Sequence, residues 1–265
     1  MVLSIVDCLD RFSFEAIATA EIRRATAAND LSPPASIPLK RVEDPQRLLY
    51  SCAIALPLAA SEGADPRKIA EAIAAAFVRS PGGDLDFSIE AVGSGWLHLW
   101  PSDRAVAGQL QRLSEFPWPN SVSQPIEGIR RDVFLLQYAH ARCCSLLRMA
   151  RRDGAIAYIE GEDFPWLDGA GRLNLCRRAE FEAIGALFAS LDRCARSGDR
   201  AAVLKAATAL SHRFLNFYRD CRIWGDIQAE RPDLARSRLG LVAATRPVLK
   251  FLLEERLGVF APEEL

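Results

Sequence analysis

Leu135–Arg148 reads LLQYAHARCCSLLR. Leu135, Leu136, Ala139, Cys143, Leu146 and Leu147 recur at helical spacing and make one apolar stripe, with polar and charged residues between them. The pattern predicts a helix over residues about 129–152. A one-sided helix must bury its stripe against other elements, and the sequence downstream supplies them. Further helices are expected over about 173–197, 199–220 and 233–257. Pro232 and Asp233 open the last of these, and Gly258 fits its C-terminal cap. Pro247 lies inside it and should bend it. Four or five amphipathic helices with short connections make an α-bundle.

Upstream, the signals mix. Residues about 4–28 read as a helix, and Pro33, Pro34 and Pro38 break the chain after it. A second helix is expected over about 45–61, with Leu48, Leu49, Cys52 and Leu56 on one face and a kink or early stop at Pro57. Asp65 and Pro66 are placed as the cap and first residue of a third. Asp86–Val92 and Trp96–Trp100 then alternate with period two around Gly93-Ser94-Gly95, which predicts a hairpin. The strand face with Trp96, His98 and Trp100 is expected to pack. Ser114–Gly128, SEFPWPNSVSQPIEG, contains three prolines and reads as a linker. The expected chain is mainly α. A small α+β domain (1–115) is followed by a Pro-rich linker (116–128) and an all-α helical bundle (129–265).

Half of the 265 residues are apolar and a quarter are charged, the balance of a globular protein. No apolar run approaches the roughly 20 residues of a membrane span. Asp7, Asp10 and Arg11 come too early for a secretory leader, so a cytoplasmic protein is expected. Seven cysteines without a CxxC pair, and three scattered histidines, argue for reduced thiols and against a zinc site. Net charge is −1, but residues 1–120 carry −4 and residues 121–265 carry +3. Glu160, Glu162, Asp163 and Asp168 form an acidic loop with no histidine beside it. It is expected to face away from any RNA or to meet a protein partner.

Two sets of blocks resemble one enzyme family. LLQYAHARCCSLLR is similar to the helix that opens the anticodon-binding (DALR) domain of class I arginyl-tRNA synthetases. RFLNFYRDCRI (Arg213–Ile223) and the closing stretch from Ser237 to Leu265 resemble later blocks of the same domain. GADPRKIAEAI (Gly63–Ile73) and IEAVGSGWLHLWPS (Ile89–Ser102) resemble the family's N-terminal additional domain. There the resemblance puts Tyr50 on the tyrosine of a D-Y-Q-x-N motif that touches the tRNA elbow, while Ser51 and Ala53 replace its glutamine and asparagine. In the synthetases a Rossmann domain with HIGH and KMSK signatures separates the two modules. Here the Pro-rich linker stands in its place, no HxGH spacing exists, and Gly93-Ser94-Gly95 leads into a strand instead of opening a helix.

The resemblance implies a non-catalytic tRNA-binding protein, with no cofactor or metal, that recognises arginine tRNAs through the anticodon stem-loop. Neither DNA nor a membrane is an expected partner. A tRNA-modifying enzyme or the charging synthetase itself are the protein partners it suggests. Candidate RNA contacts are Tyr138, His140, Arg142 and Arg148 on the first bundle helix; Arg219, Arg222 and Trp224 at the end of a later one; Arg236 and Arg238 on the last; and Tyr50. The basic run Arg130, Arg131, Arg142, Arg148, Arg151 and Arg152 suits phosphates, and Tyr138 and His140 suit an unpaired base. Phe214, Phe217 and Tyr218 are expected in the core. Two other readings stay open. One is a scaffold or regulator that kept the fold and lost RNA binding. The other is the arginyl-tRNA ligase activity that the C-terminal resemblance alone would suggest.

Overall fold

The computed structural model describes residues 9–44, 46–78, 86–118, 131, 133–154, 163–196 and 199–265. Contacts divide the chain into two compact units, Met1–Ala105 and Val106–Leu265. The first is α+β, the second helical, and the whole is mainly α.

The first unit holds helices α1 (Phe14–Ala27), α2 (Ala55–Glu62) and α3 (Pro66–Val78). Its strands are β1 (Leu39–Val42), β2 (Leu49–Cys52), β3 (Phe87–Val92) and β4 (Trp96–Pro101). They form one antiparallel sheet of order β1-β2-β4-β3. The register aligns Tyr50 with Leu99 and Leu99 with Ile89, so one face carries Leu39, Tyr50, Cys52, Leu97, Leu99 and Phe87 into the core. Phe14 of α1 and Phe77 of α3 meet Phe87 edge-on, with ring centroids 5.8 and 6.4 Å apart. Ser13 caps α1 by accepting from the Ala16 amide at 3.0 Å. Asp65 accepts from the Arg67 amide at 2.9 Å ahead of Pro66. Gly95 closes the β3–β4 turn at φ 115°, and a Cβ there would stand 2.8 Å from Pro66.

Two expectations for this unit are corrected. The helix expected over 45–61 is strand β2 followed by α2. Tyr50 and Cys52 alternate inward between two neighbouring strands, and Pro57 falls in the first turn of α2, where its missing N–H costs nothing. The tryptophan face of β4 is also reversed. Leu97 and Leu99 are the buried pair, while Trp96 remains 42% exposed and Trp100 half-buried beneath the Arg47 guanidinium, 4.8 Å from its ring. The helix expected from about residue 4 is described only from Leu9, with a turn at Arg11–Phe12 before α1.

The second unit contains α4 (Asp103–Glu115, which starts at the boundary), α5 (Phe134–Arg152), α6 (Arg178–Arg196) and α7 (Arg200–Asp220). A short α8 (Asp226–Glu230), α9 (Pro232–Phe251) and a π turn (Leu252–Arg256) complete it. Most of the expected linker lies outside the described residues, as do Glu160 and Glu162 of the acidic loop. The described part of that linker begins in α4 and ends at Trp118, whose ring lies 5.3 Å from Phe251. α9 is buried on nearly every face despite Pro247. It makes room for a loop: Phe164 and Trp166 lie over Gly240, where a Cβ would come within 2.7 and 2.5 Å of their rings. Gln111 of α4 holds that loop, accepting from Trp166 Nε1 at 2.6 Å and from the Phe164 amide at 3.3 Å. No helix among the described residues is long and apolar enough to cross a membrane.

The two glycines of opposite surroundings give a paired test. Gly240→Ala should lose about 1–3 kcal/mol, because the rings must move to admit one methyl. Gly108→Ala, an exposed position inside α4 with nothing within 4 Å of the new Cβ, should gain roughly 0.5–1 kcal/mol. Urea denaturation of both variants measures the difference.

Candidate nucleic-acid interface

α5 has two polar faces of different kinds. On the buried side, Gln137 donates to the Phe260 carbonyl at 3.0 Å, and His140, 1% exposed, meets the Pro262 carbonyl through Nδ1 at 2.8 Å. These two side chains fasten the stretch after the π turn against the helix. Burial, with Arg246 and Lys250 nearby, pushes the His140 pKa down to about 4. The ring is therefore neutral and carries its proton on Nδ1, where the carbonyl accepts it. His140 is not an RNA contact: a side chain withdrawn into the core cannot stack on a base.

The outer side is built of stacked groups. Phe134, 47% exposed, lies nearly parallel to Tyr138, with centroids 6.2 Å apart and planes 21° apart. One turn on, Arg142 donates to the Tyr138 hydroxyl at 3.2 Å, and its guanidinium lies 5.7 Å from that ring and 5.0 Å from the ring of Tyr218 on α7. Spacing of i, i+4, i+8 puts Phe134, Tyr138 and Arg142 on one line along the helix. The Tyr138 hydroxyl holds the Arg142 pKa above its usual value. Met149, 42% exposed, also lies on the outer side of this helix. An outward row of aromatic rings with an embedded guanidinium offers planar surfaces and a positive charge together, which is what an unstacked base and its phosphate need.

The remaining candidates fall into three groups. Arg219 and Arg222 are exposed at the end of α7, although Arg219 is paired with its neighbour Asp220 at 2.8 Å. Arg151 and Arg152 are exposed at the end of α5, while Arg148 is tied down, donating to the Glu263 carbonyl at 3.3 Å and reaching Glu264 at 3.2 Å. Trp224 and Arg236 are half-buried around a cavity beside α8, with Arg236 bonded to the Asp163 carbonyl at 3.2 Å. Arg238 and Tyr50 are corrected, since both have 0% exposure. Arg238 pairs with Glu180 at 2.7 Å inside the bundle, and Tyr50 lies on the inner face of the sheet. Tyr218, expected in the core, is half-buried against Arg142. Phe134 was missed because the apolar stripe was counted from Leu135. Its four-residue spacing from Tyr138 was the available signal.

The described cysteines are free, all but Cys176 are buried, and burial pushes Cys52, Cys194 and Cys221 up to about 11. Among the described residues no group of three or more His, Cys, Asp or Glu side chains could hold a metal ion.

Comparison with known proteins places both units. Residues 136–265 match the family described as the DALR anticodon binding domain, and residues 15–99 match the arginyl tRNA synthetase N terminal domain. A protein named arginine–tRNA ligase from Pelodictyon phaeoclathratiforme is 37% identical over 186 residues, covering 68% of this chain and 30% of the relative. Its namesake from Symbiobacterium thermophilum is 41% identical over 138 residues, covering 50% of this chain and 22% of the relative. The chain thus spans less than a third of the length of these relatives. No solved structure gives a significant match.

His140 sets a pH signature. Its native pKa near 4 lies below the ordinary value near 6.5, so the unfolded chain binds the extra proton between those limits. Stability should be full above about pH 6.5 and fall towards pH 4, by at most about 1.4 kcal/mol per pH unit from this group. Chemical denaturation across that range should show a shallower slope for His140→Gln. An unchanged slope would remove His140 from the account.

Proposed function

We propose that this chain, which belongs to the arginyl-tRNA synthetase family through both of its domains, is a non-catalytic tRNA-binding protein. The anticodon stem-loop of arginine tRNAs is the target, and the outer face of α5 with the end of α7 is the grip. One observation carries this reading: the row Phe134, Tyr138, Arg142, Tyr218, exposed at Phe134 and half-buried along the rest, which sets three rings and one cation side by side. Phe134 is exposed and both tyrosines are half-buried, and alternating rings and guanidinium suit unpaired bases.

One observation supports the absence of amino-acid activation. The matched domains leave only residues 100–135 between them, and α4 already occupies Asp103–Glu115. A nucleotide-binding domain needs more chain than that, since domains run from about 50 residues upward.

The first unit offers a second contact on the open face of its sheet. His98, Trp96 and Trp100 share that face by register, with Arg47 over Trp100, while Ser51 on the same face is buried. Tyr50 takes no part. In such a protein tRNA would be handed to a modifying enzyme or to the charging synthetase. A scaffold that has lost RNA binding is the rival reading. It is favoured by Arg148, whose charge is engaged by Glu264, and by Ser51 and Ala53.

Filter binding at near-physiological salt separates these readings. The protein should prefer tRNA over a generic structured RNA. Arg142→Glu or Tyr138→Ala should weaken tRNA binding at least about fivefold, and Arg148→Glu should weaken it less. Equal affinity for all RNAs, or an Arg142→Glu variant that binds normally, would sink the assignment. A charging assay with ATP, arginine and tRNA should give no product.

A further inference from the structure

The corner Cys221–Gly225 after α7 closes against α8 and the start of α9 around a cavity of about 260 Å³. Ile223, Trp224, Pro232 and Leu239 supply its apolar walls, and Gln228 and Arg236 supply its polar groups. The corner is held from beneath. Arg238 of α9 donates through Nε to Glu180 at 2.7 Å and through Nη1 to the carbonyl of Arg222. Glu180 in turn accepts from the Arg177 amide at 2.8 Å. Both side chains of this pair are at most 1% exposed. An ion pair so deep adds little stability over apolar residues of the same size. What it adds is direction: a guanidinium aimed at one backbone carbonyl fixes the loop that forms the cavity wall. Trp224, on that wall, has its indole Nε1 buried with no acceptor among the described residues.

We propose that this cavity is a slot for one unstacked nucleobase of a bound RNA, with Arg238 as the positioning residue that keeps its wall in place. The inference rests on the RNA-binding reading above and names a site outside the α5 row. Three observations select a base. The volume is below the roughly 300–1,000 Å³ of drug-sized sites and suits one ring system. Trp224 gives a flat face, while the Gln228 amide and the Arg236 guanidinium give the edge contacts by which loop bases are read. Asp226, Glu230 and Asp233 stand on α8 and the first turn of α9 next to the lining residues, and they disfavour a phosphate or another anion. A neutral planar ring satisfies all three.

The test uses the full chain and an anticodon-type stem-loop RNA in which each loop nucleotide is replaced in turn by an abasic residue. For the unaltered protein, one abasic position should cost about tenfold or more in affinity. Trp224→Ala and the cavity-filling Ala235→Phe should each weaken binding to the intact RNA and erase the penalty at that one position, leaving the others unchanged. The double replacement Arg238→Met with Glu180→Leu keeps an apolar core but releases the Arg222 carbonyl, and it should behave like Trp224→Ala. Circular dichroism checks that each variant is folded, and Trp224→Ala stands alone if the larger replacement fails to fold. If every abasic penalty survives in Trp224→Ala, the slot is wrong while RNA binding stands. If the unaltered protein binds no stem-loop, the RNA reading itself falls and takes the slot with it.

Discussion

The helical unit depends on one buried contact between unlike charges, Arg238 on α9 and Glu180 on α6. Taking two ions out of water costs several kcal/mol each, and their attraction returns it only when the remaining hydrogen-bonding groups are also met. Here most of them are met. Glu180 reaches both Arg238 and the backbone at Arg177, and Arg238 reaches both Glu180 and the Arg222 carbonyl. The exception is Nη2 of Arg238, buried without a partner among the described residues. Three separate segments, the start of α6, the middle of α9 and the corner after α7, are thereby set against one another by directed bonds. Apolar packing alone is non-directional and would leave the corner free to settle elsewhere. The thiol of Cys221 beside this pair is kept protonated by burial and by the Glu180 charge.

α5 shows how one helix serves two purposes. Its inner polar residues, Gln137 and His140, spend their hydrogen bonds on carbonyls at Phe260 and Pro262, where a purely apolar stripe would have left those carbonyls unsatisfied. On its outer side Arg148 likewise holds the Glu263 carbonyl, while the residues from Phe134 to Arg142 form a stacked row. Phe134 and Tyr138 stack on each other, and Arg142 bridges to Tyr218 on α7. The QYAHAR pattern is thus a mixture: Gln137, Ala139, His140 and Ala141 build the fold, and Tyr138 and Arg142 build a surface.

What could be read from the sequence follows from how local each signal is. The bundle helices were legible because their apolar residues recur every three or four positions and their ends carry proline or glycine in the expected places. β2 was not. Four residues of strand between apolar neighbours carry too little pattern to tell a strand from a helix, and β4, which pairs with one edge of β2, comes from distant sequence. The two faces of β4 posed the same difficulty, since both alternate and both are apolar. Tryptophan is larger than leucine, but the register with Tyr50 and Ile89 puts the leucines inside. Among the site residues, an arginine on a helix gives no sign of its burial. Arg236 and Arg238 stand two residues apart, yet one borders a cavity and the other faces a carboxylate supplied from 58 positions away.

These placements change where RNA recognition should be sought. A basic helix suggests phosphate contact first, but the cations of α5 are not equivalent. Arg148 is bound to the tail, Arg142 is held between rings, and only Arg151 and Arg152 at the helix end project into solvent. The stacked row and the cavity beside Trp224 instead present flat, partly apolar surfaces whose charges are fixed at their edges. Phosphate attraction alone is sequence-independent and fades with salt, whereas stacking and edge contacts distinguish a looped-out base from one held in a duplex. On the proposed reading the surface of the helical unit would suit the unpaired nucleotides of a loop better than a double-stranded stem, with the buried Arg238–Glu180 pair holding the cavity wall in place.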